Sequence, residues 1–316
     1  MINKKSTILI CGAGSIGIRH AKNLINLGYK NIVFFTNRKK LKIGSYKPKT
    51  FLKIQDAFRN YNFKIALITN ETNKHIDTAI YCASKGCHLF IEKPLCDKKD
   101  KVKKLINIIT KKKLINMVGY MMRFHPAIKK IKSMILKKSF GDIYHFYCEW
   151  GEFLPNWHPN ENYKKSYAAQ KIKGGGSTLT LSHDIDLMQF FFGKIKQSLI
   201  IKNKIGLKIQ TETSTNIMLE FKKNISGFVH LDYLQKNEER FLKISGTKMI
   251  IKFFYLKNIL KIYRNKKMKI IKYDKFHRNL LFLSEIRYFI NNCKKLHICS
   301  PNINQAYKNL LDSKLI

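Results

Sequence analysis

Short apolar runs alternate with segments of helical spacing through the first third of the chain. "STILICGAGSIGIRHAKNLINLG" reads as a strand, a glycine turn and a helix that ends at Gly28. "NIVFFT" is a second strand, and "KIALIT", "CHLFIEK" and "INMVGYM" are later ones, with "HIDTAIYCASKG" and "KKLINIITKKK" as helices. Strands separated by helices in this way predict a parallel α/β sheet. From Met121 onward the period changes. "DIYHFYCEW", "STNIMLEF", "SGFVHLDYL" and "FLKISG" have period-two character, which predicts a second α/β domain on a large mixed or antiparallel open sheet. The domains are drawn as 1–120 and 121–316. Neither an internal repeat nor a Pro/Gly-rich linker interrupts them.

One helix in the second half carries an unusual face. "GGGSTLTLSHDIDLMQFFFG" opens on three glycines, offers Ser177 or Thr178 as a cap, and ends at Gly193. Leu181, Ile185, Met188 and Phe192 form one apolar stripe. Opposite them fall Leu179, His183, Asp186 and Phe190, flanked by Thr180. Two polar groups side by side among apolar neighbours suit either a buried His–Asp pair that satisfies itself or the wall of a pocket.

The glycine turn near the amino terminus has a clearer chemistry. Gly12, Gly14 and Gly17 form G-x-G-x-x-G directly after a strand and at the opening of a helix, with Ser15 and Ile16 between them. Such a turn admits a dinucleotide pyrophosphate to the helix amino terminus. The second strand ends in "FFTNRKK", with Asn37 and Arg38 where an NAD site has a carboxylate. An arginine there grips a 2′-phosphate, so the expected cofactor is NADP(H) in preference to NAD(H). In "FIEKPL", Pro94 keeps Lys93 out of the helical region, at the carboxyl end of a parallel strand where α/β sheets bind ligands.

Composition changes this picture little. At 316 residues the chain has room for two cores. Its seven cysteines, odd in number and irregular in spacing, argue for reduced thiols and a cytoplasmic protein, and no metal site is read from them. No apolar run has the length of a signal peptide or a membrane span. The net charge of +41 raises the question of nucleic acid. Only 8 of the 61 basic residues are arginine, however, and the lysines are spread over the whole chain. Without an arginine-rich reading helix or a zinc finger, this predicts general anion affinity and no specific nucleic-acid partner.

Taken in order, "GAGSIG", "NETNKH", "EKP", "GYMMRFHPAIKKIK", "SFGDIY" and "GGGSTLTLSHDID" resemble the Gfo/Idh/MocA oxidoreductases, the glucose–fructose oxidoreductase and inositol dehydrogenase family. The resemblance runs to the "DYLQKNEERFLKISG" region. It implies a Rossmann domain followed by an α/β domain whose open sheet mediates a homodimer or homotetramer. It also implies hydride transfer between NAD(P) and a hydroxyl or carbonyl of a sugar-like substrate. On this resemblance Lys93 and His183 are the catalytic residues. Asn70, Thr72, His75, Glu92 and Lys93 join the glycine turn, Asn37 and Arg38 at the cofactor. Arg123, Trp157, Tyr163, Thr180 and Asp186 are candidate substrate contacts. "EFLPNWHPNENYKKSYAA" further resembles members associated with surface-sugar and nonulosonic-acid synthesis. The chain departs from the family at Thr180, where many members have an aspartate, and at Glu71, where N-P-T-x-x-H has its proline. The rival expectation is a catalytically silent dinucleotide- or sugar-binding regulator on the same fold.

Overall fold

The computed structural model describes residues 2–316. The chain divides into two compact units, Met1–Met121 with Asn279–Tyr307, and Met122–Arg278 with Lys308–Ile316. The sequence alone carries no sign that Asn279–Tyr307 belongs with the first unit.

In that unit the elements run β1 (Ile8–Cys11), α1 (Ser15–Asn26), β2 (Ile32–Phe35), β3 (Lys49–Phe51), α2 (Ile54–Asn60), β4 (Ile65–Ile68), α3 (His75–Ser84), β5 (His88–Glu92), α4 (Val102–Lys111) and β6 (Asn116–Gly119). The six strands are parallel, in the order β3-β2-β1-β4-β5-β6. Strands β1 and β4 are buried at every position, as their uniformly apolar sequences require. The strand order reverses between β1 and β4, and their carboxyl ends therefore border the crevice where such sheets bind ligands.

The second unit holds α5 (Pro126–Leu136), β7 (Ile143–Phe153), α6 (Ser177–Thr180), α7 (His183–Phe192) and β8 (Ile195–Asn203). It continues with β9 (Ser214–Phe221), β10 (Ser226–Asp232), β11 (Leu234–Gly246), β12 (Ile250–Phe254), β13 (Ile259–Arg264) and β14 (Lys267–Lys272). Its eight strands lie in the order β14-β13-β12-β11-β7-β10-β9-β8 and are antiparallel except for β7 with β10. The sheet is therefore mixed. Alternate residues of β9, Thr215, Ile217, Leu219 and Phe221, are buried, whereas Asn216 and Met218 are exposed. Asn265 and Lys266, both at positive φ, turn β13 into β14 inside the basic run "RNKKMK". Two helices follow, α8 (Asn279–Lys295), which packs on α1 and β6, and α9 (Ile303–Asp312).

The glycine-led helix expected from the sequence is broken. The apolar stripe runs on unchanged, but the backbone interrupts at Leu181 and Ser182, leaving α6 and α7. Ser177 and Thr178 do not cap it. Gly176 is the N-cap, and both hydroxyls turn instead to Thr215 Oγ1, at 2.9 and 2.8 Å. Glu212 takes the capping role, its Oε1 accepting from the Thr178 amide at 3.1 Å. Gly193 closes α7 at φ +89 and ψ −142.

Candidate active site

In the first unit the glycine turn lies at the end of β1. Gly12 has φ +113, and a side chain on Gly17 would put its Cβ 2.1 Å from the Gly12 carbonyl oxygen, so both must be glycine for the turn to pack. Gly14 differs, since a Cβ there meets nothing within 4 Å. The space beside Gly14 is open, and α1 begins behind it with no capping side chain and no acid in its first turn. Gly14 and the amides of Ser15, Ile16 and Gly17 thus form an anion cradle that suits a dinucleotide pyrophosphate. Asn37 and Arg38 stand on the exposed loop after β2, where the Arg38 amide donates to Thr36 Oγ1 at 3.3 Å.

The loop after β4 and the end of β5 are tied together by His75. Its Nδ1 lies 2.9 Å from the Pro94 carbonyl and its Nε2 3.0 Å from the Asn70 carbonyl. Two carbonyl acceptors ask for a doubly protonated ring, but burial, the largest influence, holds its pKa below the usual histidine value. In the neutral ring one of the two contacts is therefore a hydrogen bond and the other a close polar approach. Asn70 Nδ2 donates to Thr78 Oγ1 at 3.0 Å, and Thr72 is buried in the same loop. Glu92 is turned inward. His20 Nε2 is 2.6 Å from its Oε1, and the Lys93 amide donates to its Oε2 at 3.2 Å. Lys93 follows, half-buried, at the same sheet edge as the glycine turn.

In the second unit α7 carries the chemistry. His183, Asp184 and Asp186 are all buried in its first turn, where negative charge is favoured by the helix dipole. Lys132 Nζ donates to the Phe190 carbonyl at 2.6 Å at the other end of the helix. Asp186 engages an arginine. Both its carboxylate oxygens are held by Arg123, with Nε at 2.7 Å and Nη2 at 2.6 Å, so two candidate substrate contacts engage each other. Burial pushes the Asp186 carboxyl up, and Arg123 offsets only part of that.

Asp184 has its own arginine. Arg240 Nη2 donates to its Oδ2 at 2.9 Å, and the guanidinium carbon sits 3.6 Å from the Trp150 ring and 4.4 Å from that of Tyr255. The imidazole of His183 stacks on Trp150 with centroids 5.8 Å apart and planes inclined by 29°. A row Tyr255–Arg240–Trp150–His183 thus fixes the ring from the sheet side. Thr180 is buried beside the Tyr233 hydroxyl. Gly175 and Gly176 have reasons of their own. Their Cβ atoms would fall 2.3 Å from the Tyr167 carbonyl and 2.3 Å from the Glu212 carboxylate. Trp157 and Tyr163 line a pocket with Leu154, His158, Glu161 and Tyr167. His183 is not in that lining.

Residues 6–120 match the family described as oxidoreductases with an NAD-binding Rossmann fold, and residues 128–252 match the GFO/IDH/MocA C-terminal domain. The chain belongs to the Gfo/Idh/MocA oxidoreductase family. It is 23% identical to the myo-inositol 2-dehydrogenase of Thermotoga maritima over 70% of this chain and 66% of that protein. It is 28% identical to the levoglucosan dehydrogenase of Pseudarthrobacter phenanthrenivorans over 40% of this chain and 32% of that one. Both alignments thus span less than two thirds of the relative's length. In fold, it is similar to a solved levoglucosan dehydrogenase in complex with NADH and levoglucosan, with a TM-score of 0.85 at 17% identity over 98% of this chain and 95% of the other.

Seen as a Gfo/Idh/MocA chain, the molecule accommodates one of its departures simply. Glu71, in place of the motif's proline, adopts φ −67, the angle that proline would impose, and an ion pair with Lys74 holds the turn. Sequence reasoning missed Trp150, Arg240, Tyr233, His20 and Glu285. One signal was available: Glu285 is an acid set in the apolar run "LLFLSEIRYFI". Of 20 acidic residues in this lysine-rich chain, Glu92, Asp184, Asp186, Asp232 and Glu285 are buried.

Proposed function

We propose that the protein is an NAD(P)-dependent enzyme transferring a hydride between nicotinamide and a hydroxyl or carbonyl of a sugar or sugar derivative. The observation that carries the reading is the open, uncapped cradle at Gly14, beside the strand-order reversal and on the same sheet edge as Lys93. When bound, the dinucleotide supplies the hydride acceptor or donor. Gly12, Gly14, Ser15, Ile16 and Gly17 receive its phosphates, and Asn70, Thr72 and His75 shape the loop beside them. Arg38, with Asn37, takes a 2′-phosphate, which makes NADP(H) the preferred form.

Lys93 donates a hydrogen bond to the reacting oxygen and stabilises charge developing on it. His183 exchanges the hydroxyl proton, a task suited to an imidazole, which can both accept and donate one. Its ring reaches that task already oriented by Trp150. Trp157 and Tyr163 offer aromatic faces to sugar C–H surfaces, in keeping with a role in surface-sugar or nonulosonic-acid synthesis. Seven buried, free cysteines suit a reducing cytoplasm. Among the described residues no helix is long and apolar enough to cross a membrane. On the open face of the large sheet Leu199, Met218 and Phe228 stand exposed in one cross-strand row, which supports a homodimer or homotetramer that light scattering would reveal.

One observation favours the binding-only alternative: Thr180, at the place of the family's aspartate, is buried against Tyr233 rather than charged. The test is native mass spectrometry for a co-purifying nucleotide, followed by NADPH turnover with a panel of keto-sugars and their nucleotide-linked forms. Nucleotide binding without turnover of any of them selects the regulator. No nucleotide binding removes both readings.

A further inference from the structure

Beneath Lys93, three ionisable side chains converge in an apolar pocket of the first unit. Nitrogen and oxygen atoms of His20 on α1, Glu92 on β5 and Glu285 on α8 all lie within 4.8 Å of one another. His20 and Glu285 have no solvent exposure, and Glu92 has 7%. The walls are aromatic. Phe90 and Phe282 meet the His20 ring edge-on at 5.1 and 6.0 Å, and a Cβ on Gly119 of β6 would crowd Phe90 at 2.9 Å and Glu92 Oε1 at 3.3 Å.

Among the described residues, neither Glu285 oxygen has a hydrogen-bond partner and no salt bridge reaches it. Burial, reinforced by the charge of Glu92, pushes its carboxyl far above the carboxylate range. Two ionised carboxylates in such a place would each lose their hydration, with only the His20 ring, whose Nδ1 has no partner, to answer them. A metal ion or a proton would each relieve this. The 2.6 Å separation of His20 Nε2 and Glu92 Oε1 is a hydrogen-bond length. Two atoms bound to one ion at about 2.0–2.2 Å would stand roughly 3 Å or more apart. The geometry therefore favours the proton.

We propose that Glu285 is a positioning residue for Lys93: its carboxyl group keeps a proton and donates it as a hydrogen bond to Glu92. Glu92 then collects three donors. His20 gives Nε2–H, Glu285 gives O–H, and the Lys93 amide reaches Oε2. The Nδ1 of His20, which has no partner, is the bare nitrogen of that tautomer. The carboxylate is locked, and with it the backbone that presents Lys93 at the strand end. The link to turnover rests on the proposed enzyme reading, whereas the placement of the proton does not.

Infrared spectroscopy tests the proton directly. The wild-type protein at pH 8 should show the carbonyl stretch of an un-ionised carboxylic acid, shifted in D2O and absent from Glu285→Gln. Absence of that band from the wild type overturns the proposal, as does a stoichiometric divalent ion found by elemental analysis. Glu285→Leu, which removes the donor, should lower kcat roughly ten- to hundredfold at unchanged NADPH affinity. Glu285→Gln, whose amide donates to Glu92 without a charge, should restore kcat close to wild type. If Glu285→Gln is as impaired as Glu285→Leu, an ionised Glu285 is required and the proposal fails. Should the protein turn over no sugar at all, the infrared band still decides where the proton lies.

Discussion

Replacing Arg240 with methionine removes the guanidinium from between Trp150 and Tyr255 and leaves Asp184 without its cation. The Arg240 and Asp184 side chains are 8% and 0% exposed, so water cannot take over. Breaking a buried pair from one side typically costs about 3–5 kcal/mol. At about 2–4 °C per kcal/mol for a unit of this size, the thermal midpoint should fall by roughly 6–20 °C. The deficit also has a pH signature. Burial already raises the Asp184 carboxyl in the native protein, with Arg240 opposing it. Without Arg240 the folded-state value rises further, while the unfolded value stays near 3.9. A carboxyl raised by folding binds its proton more tightly folded than unfolded. The Arg240→Met deficit is therefore largest above the folded value and shrinks on acidification, by up to about 1.4 kcal/mol per pH unit. Adding Asp184→Asn removes the stranded charge and should recover most of the loss at pH 8. Thermal unfolding followed by circular dichroism from pH 5 to pH 9 makes the measurement. A single variant as stable as wild type at pH 8, or a double variant no better than the single, would refute the reasoning.

Arg38→Ala should weaken NADPH roughly ten- to hundredfold and leave NADH unchanged, by fluorescence titration, since one charged phosphate contact is removed. Equal effects on the two return Arg38 to the basic background. Gly14→Ala and Gly17→Ala should behave oppositely: the first keeps the melting temperature and loses nucleotide affinity, whereas the second loses the fold of the turn, its Cβ being 2.1 Å from the Gly12 carbonyl. DNA binding measured against salt should be weak, indifferent to sequence and steeply lost as salt rises. A tight complex with one sequence at physiological salt would mean that the +41 charge has a dedicated partner.

Strands buried on both faces were legible in the sequence because every residue is apolar, as in "ILIC" and "IALI". Strand β3 was not, having three residues and an exposed lysine at its start. The hairpin β13–β14 was hidden for another reason: "KMKIIK" is exposed at nearly every position, so no buried face writes a period into it. At the candidate site, the glycine turn and Lys93 are local, and a strand-turn-helix pattern exposes them. His183 was visible as a polar residue in an apolar helix, but its surroundings were not. Arg240 is 56 residues from Asp184, and Arg123 is 63 from Asp186. Such pairs are made by the sheet register and by helix packing, which no spacing rule reports. The break at Leu181–Ser182 was equally silent, because the apolar stripe continues through it.

The central claim, that His183 exchanges the substrate proton during hydride transfer, meets its most direct test in single-turnover transfer of deuterium from NADPH labelled at C4. Wild-type protein should deliver the label to a keto-sugar carbon. His183→Ala should do so roughly a hundred to ten thousand times more slowly, with NADPH bound as tightly as before. Transfer at the wild-type rate in His183→Ala would contradict the account.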